Sequence, residues 1–462
     1  MNIPKSLNQA NKAIPANSLI CGKNVYFSRE SEKTWNNNNA LVVGTSGTGK
    51  SWRYVEPALL QADSSYLVSD PKGTLYKKYA PYFNSLGYSV HKMDFIHPER
   101  SEHWNPILYC KNTQDVLKAS YSLVYNSVDE YHSIDPFWDQ MTTILFSAFI
   151  GYLVEAEYIP QSDKNFSYIR KLITEMGRDK LGLSKIKNRL RQHNEWMLDN
   201  HGKESWAYNR YLQVDVVPDK TYGTIIGTTN AKMAFFDTEE LQEMLSSNDI
   251  DFTELGKKKT IIFVEISDSD RSMDTLVNLF YSQLVNTLCS YADECCPNGA
   301  LPVPVQLILD DFGTNAKIDN FDRIISNIRS RNISAMLFVQ SEEQLCCGYG
   351  GFGGKTISNN CSTIVYLGGS DPALAEYMSR RMGKEPYDIL TMPNKTAFVF
   401  RRGREPIFCE LFDTEWFKKE LGFEDGKPLK KSDKRRGVKA DEDQAKAAPV
   451  EAIVDDELTK ND

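Results

Sequence analysis

Eight consecutive positions combine glycine, lysine and hydroxyl side chains at fixed intervals: Gly44, Thr45, Ser46, Gly47, Thr48, Gly49, Lys50 and Ser51. The spacing G-x-x-x-x-G-K-S predicts a loop that binds phosphate. The apolar run Ala40 to Val43 leads into it as a strand, and the residues after Ser51 can continue as a helix, which is the context the pattern requires. Gly44 and Gly49 let the backbone turn close to phosphate oxygens, so successive N–H groups form an anion nest at a helix N-terminus. Lys50 is expected to reach the β- and γ-phosphates and the Ser51 hydroxyl to ligate Mg²⁺. The expected ligands are therefore a nucleotide and Mg²⁺.

Hydrolysis needs a carboxylate opposite that loop. Leu307-Ile308-Leu309-Asp310-Asp311 supplies one, since an apolar strand ending in paired acids would put Asp310 on the Mg²⁺ shell and Asp311 beside the attacking water. A strand running into a polar turn is the plain alternative. A third acid closes the run Ser65 to Ser69, followed by Asp70-Pro71-Lys72-Gly73. Pro71 and Gly73 stop the strand, which leaves Asp70 and Lys72 at its carboxyl end, where open α/β sheets bind ligands.

These residues need a sheet to hold them. Ala40 to Val43, Ser65 to Ser69 and Ser89 to Phe95 alternate with helix-like segments, including Leu75 to Leu86. Thr260 to Ile266, Pro304 to Leu309, Ile333 to Val339 and Thr363 to Leu367 continue the alternation. Their near-continuous hydrophobicity suits parallel strands buried on both faces. A hairpin follows, Thr396 to Arg401 and Pro406 to Leu411, turned by Arg402-Gly403-Arg404. Residues 1–37 read as a lead-in with one strand, Asn24 to Ser28.

Between the two halves of the sheet the pattern changes. Residues 113–233 read as an all-α insertion, with helices at Thr113 to Tyr125, Pro136 to Glu157 and Phe166 to Leu198. Its segment 170–191 carries eight basic side chains against two acidic ones. That is either a solvated helix face or a face for DNA or a partner. From about Gly426 a basic run gives way to an acidic end, with eight acidic and two basic side chains in residues 441–462, so a disordered tail is expected. The expected boundaries are 1–37, 38–112 and 234–425 for lead-in and nucleotide-binding core, 113–233 for the insertion and 426–462 for the tail.

Composition narrows the partners. With 41% hydrophobic and 25% charged residues among 462, the chain is an ordinary globular one, long enough for two or three domains. A net charge of -8 argues against a surface basic throughout, so nucleic acid would have to meet a local patch or an inner channel. Nine cysteines form no C-x-x-C pair and the six histidines make no ligand spacing with them, which argues for reduced thiols and against zinc. Residues 1–37 have no signal-peptide pattern. The fourteen apolar residues Met141 to Val154 are too few to span a bilayer and suit a buried helix. A cytoplasmic location is expected, or a peripheral one at the inner face of the membrane.

The segments SYLVSDPKGTLY, SEHWNPI, LILDDFG, IRSRNISAMLFVQS and NNCSTIVYLGGSD, taken in order after the phosphate loop, resemble the successive motifs of type IV coupling proteins, the TraG/TraD-like ATPases of conjugation. The similarity runs from about Leu41 to Phe412. It implies a RecA-like P-loop NTPase core that takes ATP, an all-α insertion domain, and a homo-hexamer delivering relaxase-bound DNA, in single-stranded form, to a type IV secretion channel and its ATPases or membrane components. It also implies that Asp70 and Lys72 lie near the phosphates, that Arg329 is an arginine finger reaching a neighbouring subunit, with Arg331 as competitor, and that Gln340 senses the γ-phosphate. Catalysis would then rest on Lys50, Asp311, Arg329 and Gln340.

Two features depart from that family. Most members begin with membrane-spanning helices, and residues 1–37 show no such pattern, so a naturally soluble form, or an anchor lost or supplied by another protein, is the expectation. Asp311 stands where the family usually has Glu; one methylene less retracts the carboxylate by about 1.5 Å, and a misplacement of about 1 Å can cost about 10²-fold in rate. Slow intrinsic turnover, raised by DNA or ring closure, is the expectation. The loop 348–355, with Tyr349, Phe352 and Lys355, offers stacking groups for a strand in a channel, or is a mobile surface loop. The competing functional reading is a nucleotide-binding recruitment adaptor with little hydrolysis; a motor for DNA segregation is the third.

Overall fold

A computed structural model describes residues 10–125, 135–178, 183–312 and 317–429 of the chain. Eleven strands occur among them. Ser18–Gly22 (β1) and Val25–Ser28 (β2) make a separate antiparallel hairpin. Ala40–Val43 (β3), Ser65–Asp70 (β4), Ser89–Asp94 (β5), Thr260–Glu265 (β6), Val305–Leu309 (β7), Ile333–Val339 (β8), Thr363–Tyr366 (β9), Thr396–Arg401 (β10) and Ile407–Glu410 (β11) form one sheet in the order β11-β10-β9-β3-β8-β7-β4-β6-β5. From β9 to β5 every pairing is parallel; β10 is antiparallel to both β9 and β11. The mostly parallel α/β core read from the sequence is thus observed.

Both faces of this sheet are covered, which is why its strands lack a polar face. On one face Val42, Tyr66, Val68 and Phe263 pack with Val55 and Leu59 of the segment after the phosphate loop, with Tyr79 and Phe83 of the helix Thr74–Ser85, and with the β1–β2 hairpin. On the other, Leu41, Val43, Leu67 and Val264 belong to a core that continues into the helical segment through Leu145, Phe149 and Ile173. The helix Asp274–Cys295 contributes Phe280 and Leu284 to this side.

Between β5 and β6 all regular elements of the described residues are helical, including Thr113–Tyr125, Pro136–Glu155, Phe166–Arg178, Leu183–His201, Trp206–Asp215 and Asp219–Lys232. Asp135 caps Pro136–Glu155 by accepting from Phe137 N, and Pro136 takes the first-turn position where its missing N–H costs nothing. The apolar run Met141 to Val154 lies inside that helix and is largely buried. Among the described residues no helix is long and apolar enough to cross a membrane.

Three local readings change. The lead-in holds two strands rather than one, β1 having been missed. The stretch 348–355 is helical, within Glu342–Asn359, with a break at Gly350 (φ 72°) that only glycine accommodates readily. Near the C-terminus, Gly426 N donates to Lys78 O (3.0 Å) and Leu429 N to Ser85 Oγ (3.2 Å), so the chain follows the helix Thr74–Ser85 as far as Leu429. The tail beyond, 430–462, lies outside the described residues.

Candidate nucleotide site

The phosphate loop leaves the carboxyl end of β3, and the parallel order fixes its neighbours. Leu367 to Gly369 follow β9 on one side. On the other come Gln340 after β8, Asp310 and Asp311 after β7, Asp70 closing β4, Glu265 closing β6 and Asp94 closing β5. Residues scattered over the chain from 44 to 369 therefore line one edge of one sheet.

The loop itself is shaped for close approach. Gly47 and Gly49 have φ of 81° and 89°, and a side chain at Gly47 would meet nothing within 4 Å, so that backbone lies open. Gly44 is constrained differently: a Cβ there would sit 2.8 Å from Thr48 Oγ1 and 2.9 Å from Leu367 Cβ. Thr48 Oγ1 closes the turn by donating to Thr45 O (2.8 Å), and Gly44 N donates to Val339 O (3.1 Å), fixing the loop to the end of β8. One π turn, Ser51–Val55, opens the following helix, which continues as Glu56–Gln61.

Lys50 folds back, its Nζ donating to Gly44 O at 2.6 Å. Burial pulls its pKa below the usual lysine value, and the charges of Asp311 and Asp310 oppose that shift. Ser51 Oγ donates to Asp310 Oδ2 at 2.5 Å. Asp310 is 8% exposed and its pKa is raised, by burial first and partly by the Asp311 charge, against the lowering bond from Ser51. Its other oxygen, Oδ1, accepts from Asp311 N (3.0 Å), and its own N–H donates to Ser69 Oγ (2.6 Å). Asp311 has φ 51°, a left-handed conformation that Asp tolerates better than most residues. An open loop of backbone donors, a lysine folded onto that loop, and a hydroxyl bonded to a carboxylate are the donor set of a phosphate and Mg²⁺ site; Ser51 and Asp310 could hold the cation.

The remaining expected residues divide. Gln340 lies beside the loop by register with β3; its N–H is taken by Gln344 Oε1 (2.8 Å) and its side chain is exposed. Asp70 is 1% exposed and does not face the loop: its oxygens accept from Thr74 N (3.0 Å) and Tyr76 N (2.9 Å), so it caps the helix Thr74–Ser85. Its strand lies three positions from β3, about 14 Å across the sheet. Lys72 is exposed. Arg329 sits before β8, at the sheet edge opposite its own phosphate loop, exposed, with Nη2 donating to Ser31 O (2.9 Å). Arg331 is engaged by Asp293 through two bonds of 2.8 and 2.7 Å.

Two sequence suggestions for nucleic-acid contact lose ground. In segment 170–191, Arg170 pairs with Asp237, Lys187 with Asp215, Arg189 with Glu175 and Arg191 with Glu195, so much of that charge is neutralised within the fold. Tyr349 stacks on Phe312 (5.6 Å between centroids) and its OH accepts from Ile318 N, leaving Phe352, 92% exposed, as the free aromatic.

Sequence reasoning missed the C-terminal clasp on the loop's helix. Arg53 Nη1 donates to Phe412 O and Thr414 Oγ1 to Trp52 O, both at 2.7 Å. Lys418, from the helix Thr414–Leu421, pairs with buried Glu56 (2.9 Å) and lies 4.1 Å over the Trp52 ring; Lys78 binds the same carboxylate (2.6 Å). It also missed Glu265, whose carboxylate packs under the Asp70–Gly73 turn; a Cβ on Gly73 would lie 2.7 Å from Glu265 Oε2. The signal was present, since TIIFVE is an apolar run ending in an acid, like SYLVSD.

The family model for conjugative DNA transfer by the type IV secretory system matches residues 2–387. The chain belongs to this family of conjugative coupling proteins. It is 21% identical over 372 residues to protein VirD4 of Rhizobium rhizogenes, covering 78% of this chain and 52% of that protein, so the coupling protein described here spans about half the length of that relative. Its fold is similar to that of the bacterial conjugative coupling protein TrwBΔN70 solved with sulphate (TM-score 0.61, 16% identity, 87% of this chain and 90% of that one). The same protein in complex with ADP and Mg²⁺ gives a TM-score of 0.60 at 17% identity with the same coverage. These likenesses confirm the RecA-like core expected from the motifs.

Proposed function

We propose that this coupling protein is a Mg²⁺-dependent ATPase that recruits a relaxase-bound single strand and drives it into a type IV secretion channel as a homo-hexamer. The observation that carries the ATPase reading is the Ser51–Asp310 contact, which joins the phosphate loop to the carboxyl end of β7. TrwB was solved with ADP and Mg²⁺ and with a non-hydrolysable ATP analogue, which supports the same ligands here. A bound Mg²⁺ would offset phosphate charge and orient the γ-phosphoryl group.

The chain's own residues supply the rest. The Gly47–Gly49 backbone donates to phosphate oxygens. Lys50 exchanges its bond to Gly44 O for one to phosphate, its charge sustained by Asp310 and Asp311. Asp311 orients the attacking water and accepts its proton, and Gln340, at the adjoining strand end, reads the γ-phosphate. Arg329 is on the wrong sheet edge to serve its own site, so the guanidinium acts on a neighbour's nucleotide and ties turnover to assembly.

Steady-state ATPase measured against protein concentration, with and without single-stranded DNA, tests this. Turnover should rise with both, vanish in Lys50→Ala and in Arg329→Ala, and return when the two variants are mixed. Tight ATP binding and intact relaxase binding without measurable turnover would instead establish a recruitment adaptor.

A further inference from the structure

Trp35 is 76% exposed, and its backbone has φ 55°. It ends the short helix Ser31–Thr34 at the position where the left-handed conformation favours glycine. A bulky side chain there is both strained and wet, and neither condition helps a single chain to fold.

The surroundings of Trp35 indicate what uses it. Ser31 O accepts from Trp35 N (3.1 Å) and from Arg329 Nη2 (2.9 Å), so one oxygen holds the tryptophan backbone and the guanidinium assigned above to a neighbour's nucleotide. The turn that carries both is fixed by the asparagines that follow. Asn37 Nδ2 and Asn39 Nδ2 donate to Asn360 O (2.9 and 3.0 Å), Asn38 Nδ2 donates to Arg29 O (2.8 Å), and Asn39 Oδ1 accepts from Ala335 N (2.9 Å). These bonds staple the turn to β8 and to the segment before β9.

The other edge of the sheet carries a matching surface. On the short helix Pro386–Leu390, Tyr387 is 74% exposed and Leu390, three positions on and on the same helix face, is exposed as well. The chain then reaches Met392, whose Cβ would lie 3.9 Å from a Cβ on Gly368, while a Cβ on Gly369 would lie 3.6 Å from Thr45 Cγ2. This apolar pair therefore borders the phosphate loop, at the edge opposite Arg329. Two different patches on opposite edges of one chain make a head-to-tail contact, the kind that closes into a ring.

We propose that Trp35 is the apolar anchor of the contact between copies of this chain, packing on the neighbour's Tyr387 and Leu390 when Arg329 enters the neighbour's nucleotide site. This contact rests on the ATPase reading above, in which Arg329 serves a neighbour. Tryptophans buried in an interface are among the side chains whose removal costs most.

The test is Trp35→Gly, Tyr387→Ala and the double variant in the full chain, read as ATPase turnover per chain against protein concentration. The concentration giving half-maximal turnover should rise about tenfold in Trp35→Gly and rise also in Tyr387→Ala. The double variant should need no more protein than the weaker single one, because the two residues make one contact. Saturating turnover and nucleotide affinity should match the unmutated chain, and the thermal midpoint of dilute Trp35→Gly should not fall, because glycine suits this backbone. An unchanged half-maximal concentration overturns the proposal, and so does a lowered thermal midpoint without it, which would mark a ring that serves the fold of one chain. Losses that add in full in the double variant overturn the pairing with Tyr387. If the unmutated chain sediments as a monomer and turns over at a rate independent of concentration, the shared-site reading fails and the contact with it, a result distinct from the others.

Discussion

Ser51 and Asp310 lie 259 residues apart and share a 2.5 Å hydrogen bond. Two side chains that would share a cation instead share a proton, which holds both at ligating separation. Asp310→Asn keeps an oxygen for Ser51 but removes the charge. The variant should still fold and bind nucleotide in EDTA, while the Mg²⁺-dependent gain in affinity falls by at least about tenfold. Calorimetric titration with and without Mg²⁺ checks this; a gain equal to that of the unmutated chain would remove Asp310 from the metal site.

Asp311 adopts φ 51°, next to the carboxylate that receives its N–H. Asp311→Asn suits that backbone equally well and removes only the proposed base. ATP affinity should persist while turnover drops by about 10²-fold or more. Asp311→Glu restores the longer reach and should raise basal turnover, at a modest loss of thermal midpoint because the longer side chain is less at ease in this conformation. Basal turnover that stays flat in Asp311→Glu would count against reach as the limit on rate.

Arg329 and Arg331 are two residues apart and differently engaged. Arg331 is committed to Asp293 by a two-pronged bond at the surface, whereas Arg329 spends one N–H on Ser31 O and remains exposed. Arg329→Ala should therefore abolish turnover without changing nucleotide affinity. Arg331→Ala should leave turnover near the unmutated rate and cost less than about 1 kcal/mol of stability, the ordinary range for a surface pair. Reversal of the two phenotypes in a parallel assay would reassign the finger.

What was legible in the sequence was the part that local chemistry dictates. Gly44 to Ser51 after an apolar strand, and Leu307 to Asp311, could be read because each motif carries its own strand and turn signals. Their meeting follows from parallel pairing of β3, β8 and β7. Asp70 was legible as a strand end but not as a helix cap, since that depends on where Thr74 N and Tyr76 N fold back. β1 was missed because Pro15 and Gly22 punctuate a stretch whose partner strand is short. The glycines of 348–355 suggested a loop, yet Gly353 and Gly354 are buried, and a Cβ on Gly354 would lie 2.5 Å from Cys346 N; close packing, not freedom, calls for them. The Glu56, Lys78 and Lys418 cluster joins three distant segments, and no local pattern encodes it.

Glu265 gives the last prediction, a pH dependence. Its neighbours are Asp94 and Lys92 on β5, Asp70 on β4 and the Gly73 turn. Burial, then the Asp94 charge, pushes its pKa from 4.5 to about 7, with Lys92 opposing. In the folded chain the carboxyl holds its proton up to about pH 7, whereas in the unfolded chain it gives it up near 4.5. Between those values the unfolded state binds fewer protons, so this group's contribution is fully present below the unfolded pKa and is lost as pH rises through the folded one. Glu265→Gln is neutral throughout. Its stability relative to the unmutated chain should climb from about pH 4.5 to about pH 7 and level off above, because titrating groups that do not interact with Glu265 cancel in the difference. Urea midpoints for both proteins across that range check it, and a difference that stays constant with pH would show that Glu265 is ionised in the folded state well below neutrality.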